Sequence, residues 1–164
     1  MIEYQTAFGK WQGGAQPYNL QPIYSIMAKV TGIGGIFFKS KDPEKIRGWY
    51  SEKLGLNTNK YGTNFEWRKS QNPEQKGFTV WGPFSDDTEY FKPSEKEFMI
   101  NLRVDNLREL LDDLKDKGVE IVGEIDEYEY GLFAHIIDPE GTKIELWEPF
   151  DEEYDKIVDA RTQS

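Results

Sequence analysis

Two hydrophobic periods alternate along this chain. In "PEKIRGWYSEKL", residues 43 to 54, the apolar side chains Ile46, Trp49, Tyr50 and Leu54 recur at helical spacing and share one face. Asp42 stands where an N-cap belongs, Pro43 at the first helical position and Gly55 just past the end. The same arrangement returns in "NLRELLDDLKDKG". Asn106 (or Asp105) is its cap, Leu107, Leu110, Leu111 and Leu114 form its apolar face, and Gly118 is its stop. The remaining apolar segments read as strands: "VTGIGGIFFKS" (30–40), "TNFEWRKS" (63–70), "GFTVWGPF" (77–84), "EFMINLRV" (97–104), "GLFAHIID" (131–138) and "TKIELWEPF" (142–150).

The order of these elements repeats. The helix caps Asp42 and Asn106 correspond, and "FTVWGPF" matches "IELWEPF" at Trp81/Trp147, Pro83/Pro149 and Phe84/Phe150. This predicts an α+β protein of two tandem βαβββ modules, residues 30–84 and 96–150. Residues 85–95 link them, and an acidic C-terminal tail (151–164) is able to add a short helix. The N-terminal extension, residues 1–29, shows neither period. Its Tyr4, Phe8, Trp11, Tyr18 and Tyr24 predict that it covers apolar surface on its own domain or on a partner.

Composition narrows the function classes. The 164 residues carry a net charge of −10, which argues against nucleic acid and anionic membrane as partners. No apolar run approaches the roughly 18 residues of a membrane span, and the start lacks the pattern of a signal peptide. A cytoplasmic protein is expected. The absence of cysteine removes disulfides, thiol nucleophiles and Cys-ligated zinc, and a single histidine removes any one-chain site that needs two.

The closing segment "DPEGTKIELWEP" after paired βαβββ modules resembles the vicinal-oxygen-chelate superfamily, which includes glyoxalase I, the bleomycin-resistance proteins, fosfomycin-resistance enzymes and extradiol dioxygenases. The resemblance covers about residues 30–150. It implies curved mixed sheets that face each other over a cavity. It also implies metal-ligand places on the first and last strands of each module, and these fall on Gly35, Thr79, Met99 and Glu145. Only Glu145 suits a divalent cation, so no metal is expected, the alternative being one ion with Glu145 as its single recognisable ligand.

The segment around Asp138–Gly141 suits a type I turn with Gly141 in the left-handed region, followed by a bulge. Pairing outward from Asp138 and Thr142 sets His135 opposite Glu145, so that both face the cavity. A loop without the bulge would oppose Ala134 to Glu145 instead. A carboxylate beside an imidazole orients it as a general base, although a satisfied structural pair is the ordinary reading. Strand alternation adds Met99, Asn101 and Arg103 to the same wall, with Arg103 suited to an anion or to Glu145. Phe37, Thr79, Trp81, Trp147 and Tyr130 complete an aromatic-lined pocket, and Tyr128 joins Tyr130 at its lip.

The expected function is binding of a small organic molecule without metal or other cofactor, by a monomer or homodimer. The alternative is a lyase, isomerase or dioxygenase-type enzyme acting on a small carbonyl or vicinal-oxygen substrate through Glu145 and His135, with or without a divalent metal.

Overall fold

The computed structural model describes residues 28–162. The aromatic part of the N-terminal extension, and with it the expected covering role, lies outside the described residues. The elements in chain order are β1 (Lys29–Ser40), α1 (Pro43–Leu54), β2 (Thr63–Lys69), β3 (Asn72–Ser85), β4 (Phe98–Asp105), α2 (Leu107–Asp116), β5 (Glu120–Tyr128), β6 (Gly131–Ile137), β7 (Lys143–Pro149) and α3 (Asp151–Thr162). The second module is βαβββ as the repeat predicts. The first has only β2 and β3 after its helix. Where a further strand would run, Asn59 and Gly62 form an isolated bridge.

The seven strands of the described residues join one mixed, curved sheet in the order β2-β3-β1-β4-β7-β6-β5. Each module pairs its first and last strands in parallel, β1 with β3 and β4 with β7, and the modules meet through antiparallel β1 and β4. Helices α1 and α2 lie on one face of the sheet. No helix among the described residues is long and apolar enough to cross a membrane.

The caps work differently in the two repeats. Asp42 Oδ1 accepts from Lys45 N at 2.9 Å, and Gly55 ends α1 with φ 70°. Asn106 is left-handed and makes no side-chain cap bond. Its task falls to Glu148 of β7, whose carboxylate accepts from Leu107 N at 2.7 Å. A carboxylate there also meets the positive end of the helix. The packing differs too. Leu107 and Leu111 are buried with Val104, Leu132, Ala134 and Leu146, and Leu110 and Leu114 pack against that core. The apolar face of α1 buries nothing fully: Trp49 and Leu54 are about half exposed, and Tyr50 rests on Trp81 at 4.5 Å. Between the two helices, Val30, Ile33, Ile36, Phe98 and Ile100 of β1 and β4 are exposed.

The acidic tail is a helix, and it lies on the opposite, concave face. Tyr154 is buried against Phe78 and Trp147, its hydroxyl donates to Asn64 Oδ1 at 2.8 Å, and Asp155 pairs with Lys76 at 2.9 Å. Helix α3 therefore spans from β7 back to β2 and β3, the far edge of the sheet.

Candidate functional site

The turn at Asp138 sets the geometry of the site. Gly141 adopts φ 75° and its N–H donates to Asp138 O, while Asp138 N donates to Thr142 O. One Asp138 oxygen accepts from both Glu140 N and Thr142 N, at 2.9 and 2.8 Å. These bonds, that of Thr142 first, hold its carboxyl below the ordinary carboxylate range. The bulged register follows, with Ile136 opposite Ile144 and His135 opposite Glu145. Pairing then continues from Glu145 to Asn101, from Asn101 to Gly35 and from Gly35 to Val80. One row of residues thus crosses both modules on the concave face.

Glu145 is the centre of that row, and it is only 3% exposed. A carboxylate so deep needs compensation, because desolvation of an unpaired charge is expensive. Three side chains from three separate segments supply it. The Tyr90 hydroxyl, from the connection between β3 and β4, donates to Oε1. His135 Nε2 lies 3.2 Å from the same oxygen. Asn101 Nδ2 donates to Oε2 at 2.5 Å. Burial, reinforced by the negative charge of Glu145, pushes the Tyr90 phenol well above its ordinary pKa and keeps it a donor. Lys143 is buried beside them, with Nζ donating to Tyr90 O at 2.7 Å and lying over the Tyr90 ring. Its pKa is lowered by burial, against the attraction of Glu145.

Arg103 forms a second centre on the same face, two residues along β4. Its guanidinium lies between the indoles of Trp67 and Trp147, 5.3 and 4.9 Å from the ring centres. Nη2 pairs with Asp151 at the start of α3. Arg103 therefore does not neutralise Glu145, one of the two roles the sequence allowed it. Close approach at Gly34 makes room for this wall. A Cβ there would fall 2.0 Å from Asn101 Oδ1 and 2.9 Å from both Arg103 Cγ and the Trp147 ring.

The other expected pocket residues divide. Trp147 and Tyr130 are on the concave side, but α3 covers them: Tyr154 packs on both rings. Phe37 and the fully buried Met99 pair across β1 and β4 on the same face as Asn101. Thr79 is spent on structure, donating to Ile33 O and accepting from Trp67 Nε1. Trp81 corrects the expectation of a matched pair, because it faces α1 and packs on Phe38 and Tyr50. The parallel pairing in the first module spans one more residue than that in the second, so Trp81 is in phase with Leu146 rather than with Trp147. A slip of one residue exchanges the faces of a strand.

Tyr90, Trp67, Lys143 and Asp151 are the participants that sequence reasoning missed. The available signal for the first was "EYF", an aromatic pair at Tyr90 and Phe91 inside a polar connection. Phe91 is fully buried, and Tyr90 stacks on Phe84. The residues expected at metal-ligand places do not fit a metal. Val80 and Asn101, not Thr79 and Met99, share the row with Gly35 and Glu145, and only Glu145 among these is an anionic donor. No group of three or more His, Asp or Glu suited to an ion occurs among the described residues.

A search of curated proteins finds no match. Among solved structures, a methylmalonyl-CoA epimerase variant from Streptomyces coelicolor in complex with 2-nitronate-propionyl-CoA superposes with TM-score 0.55 at 15% identity, covering 73% of this chain and 98% of that one. The methylmalonyl-CoA epimerase from Mycobacterium tuberculosis gives 0.49 at 17%, covering 77% and 93%. The Mn(II)-bound glyoxalase from Novosphingobium aromaticivorans gives 0.48 at 16%, covering 74% and 40%. At such identities the likeness is one of fold. The family model described as Glyoxalase/Bleomycin resistance protein/Dioxygenase superfamily matches residues 32–146, well over half of the chain. The chain therefore belongs to the glyoxalase/bleomycin resistance protein/dioxygenase superfamily.

Proposed function

We propose that this protein binds a small organic molecule on the concave face of its sheet and needs no metal ion to do so. One observation carries this reading: both oxygens of Glu145, the residue best suited to catalysis or to a cation, are engaged by Tyr90, Asn101 and His135. Open space lies instead beside Arg103 and Trp67, in a cleft of about 840 Å³. Clefts of this size suit small ligands. The test is a thermal-shift screen of small organic molecules on chelator-treated, dialysed protein. Ligands should raise the melting temperature equally with and without added Zn, Mn, Ni or Fe. A response that appears only after metal is added would sink the reading.

A proton-transfer enzyme is the second reading, and the meeting of Tyr90 and His135 on one Glu145 oxygen favours it. Displacement of the phenol by a substrate would leave a carboxylate–imidazole pair facing a carbonyl compound. Exchange of deuterium into the carbon next to a ligand's carbonyl, abolished in Glu145→Gln, would establish this reading in place of the first. The exposed apolar stripe on β1 and β4 supports the expected homodimer.

A further inference from the structure

The cleft beside Arg103 lies where β1 begins, β4 ends, the β2–β3 hairpin turns and α3 starts. Lys29, Trp67, Lys69, Gln75, Arg103 and Asp151 contribute to its lining. Arg103 is 1% exposed, yet only half of its fork is used. Nη2 meets Asp151, while Nη1 is buried with no hydrogen-bond partner among the described residues. Buried donors are seldom left unpaired, and a guanidinium matches a carboxylate in particular.

The acids on the lining are already committed. Asp105 accepts from Lys29 N, Glu148 from Leu107 N at the start of α2, and Asp151 is shared by Arg103 and Lys69. Arg68 is paired with Glu66. Among the described residues, the Lys29 ammonium and Arg103 Nη1 remain without a partner, a cationic spot on a chain of net charge −10. Trp67, stacked on the guanidinium, adds a flat apolar wall. The three nearby carboxylates oppose a multiply charged anion, but one negative charge can be met by the two free donors.

We propose that this cleft binds a small planar organic carboxylate, with the carboxylate on Arg103 Nη1 and Lys29 and the apolar body against Trp67. This deepens the small-molecule reading above and rests on it, placing the ligand away from Glu145. Asp151 is the internal competitor, since it holds the other arm of the same guanidinium.

The experiment is calorimetric titration of the full-length protein at low salt with benzoate, with the neutral isostere benzamide and with inorganic phosphate. Benzoate should bind about tenfold more tightly than benzamide, as a charge-assisted contact requires, and more tightly than phosphate. Lys29→Gln should weaken benzoate about three- to tenfold. Lys53→Gln, which removes the same charge on α1, should not. Asp151→Asn should tighten benzoate and leave benzamide unchanged, a sign that a purely structural role for Asp151 would not give. These variants carry the test even where Arg103→Gln fails to fold. Equal binding of benzoate and benzamide, or weaker benzoate binding by Asp151→Asn, overturns the proposal. Neutral hits in the thermal-shift screen together with no benzoate binding would overturn it and leave small-molecule binding standing. A screen with no hits at all removes both.

Discussion

Glu145 keeps a carboxylate inside the protein only because side chains far apart in the sequence converge on it. Tyr90 stands 55 residues away. Its phenol is pushed above the ordinary tyrosine pKa of about 10, chiefly by burial and then by Glu145. The folded state thus favours the protonated form. That stabilisation is fully present below about pH 10 and is lost as pH rises through the higher folded value. Ultraviolet difference titration should show one tyrosine that ionises at higher pH than the others, and Tyr90→Phe should lack it. The variant should also lose about 0.5–1.5 kcal/mol, a value reduced by solvent because Tyr90 is 40% exposed. A Tyr90 that ionises together with the other tyrosines would show that its hydroxyl is not held by Glu145. At this scale, His135 and Glu145 were legible because one local turn relates them. Tyr90 was not, because no periodicity reports where an irregular connection docks.

Elements were readable to the extent that their signals were local. The turn residues Asp138 and Gly141 gave the β6–β7 register, and the caps gave both helix starts. Packing was less readable: α1 and α2 show similar apolar faces, yet only that of α2 is buried, since burial depends on what lies beneath. The W-x-P-F repeat was real as sequence and misleading as geometry, because one extra residue in the first module turned Trp81 toward α1. The Asp138 turn makes its own prediction. With a lowered folded pKa, the carboxylate contributes stability above its unfolded value of about 4, lost as pH falls through the folded value. Urea unfolding should find Asp138→Ala less stable than the parent protein near neutrality, and the difference should shrink in acid. A gap that stays constant with pH would mean that the ionised side chain is not what ties the turn.

At the scale of the molecule, α3 runs from β7 to the β2–β3 edge across the concave face of the sheet. Sequence periodicity allowed a short helix there, but not its destination, because that contact depends on the curvature of all seven strands. Tyr154 carries the contact, buried among Phe78, Trp147 and Tyr130. Tyr154→Ala should cost about 3–5 kcal/mol, the range for losing a buried aromatic ring, read from the urea midpoint at unchanged slope. A loss below about 1 kcal/mol would show that α3 rests on the sheet without holding it.

The set of side chains around Glu145 has a consequence for substitution. The buried negative charge is met by three polar side chains, carried on a loop, on β4 and on β6. Because these groups reside on separate segments, loss of any one leaves the other two in place. Such a centre spreads the compensation of one charge over parts of the chain far apart in sequence, so that no single substitution strands the carboxylate completely.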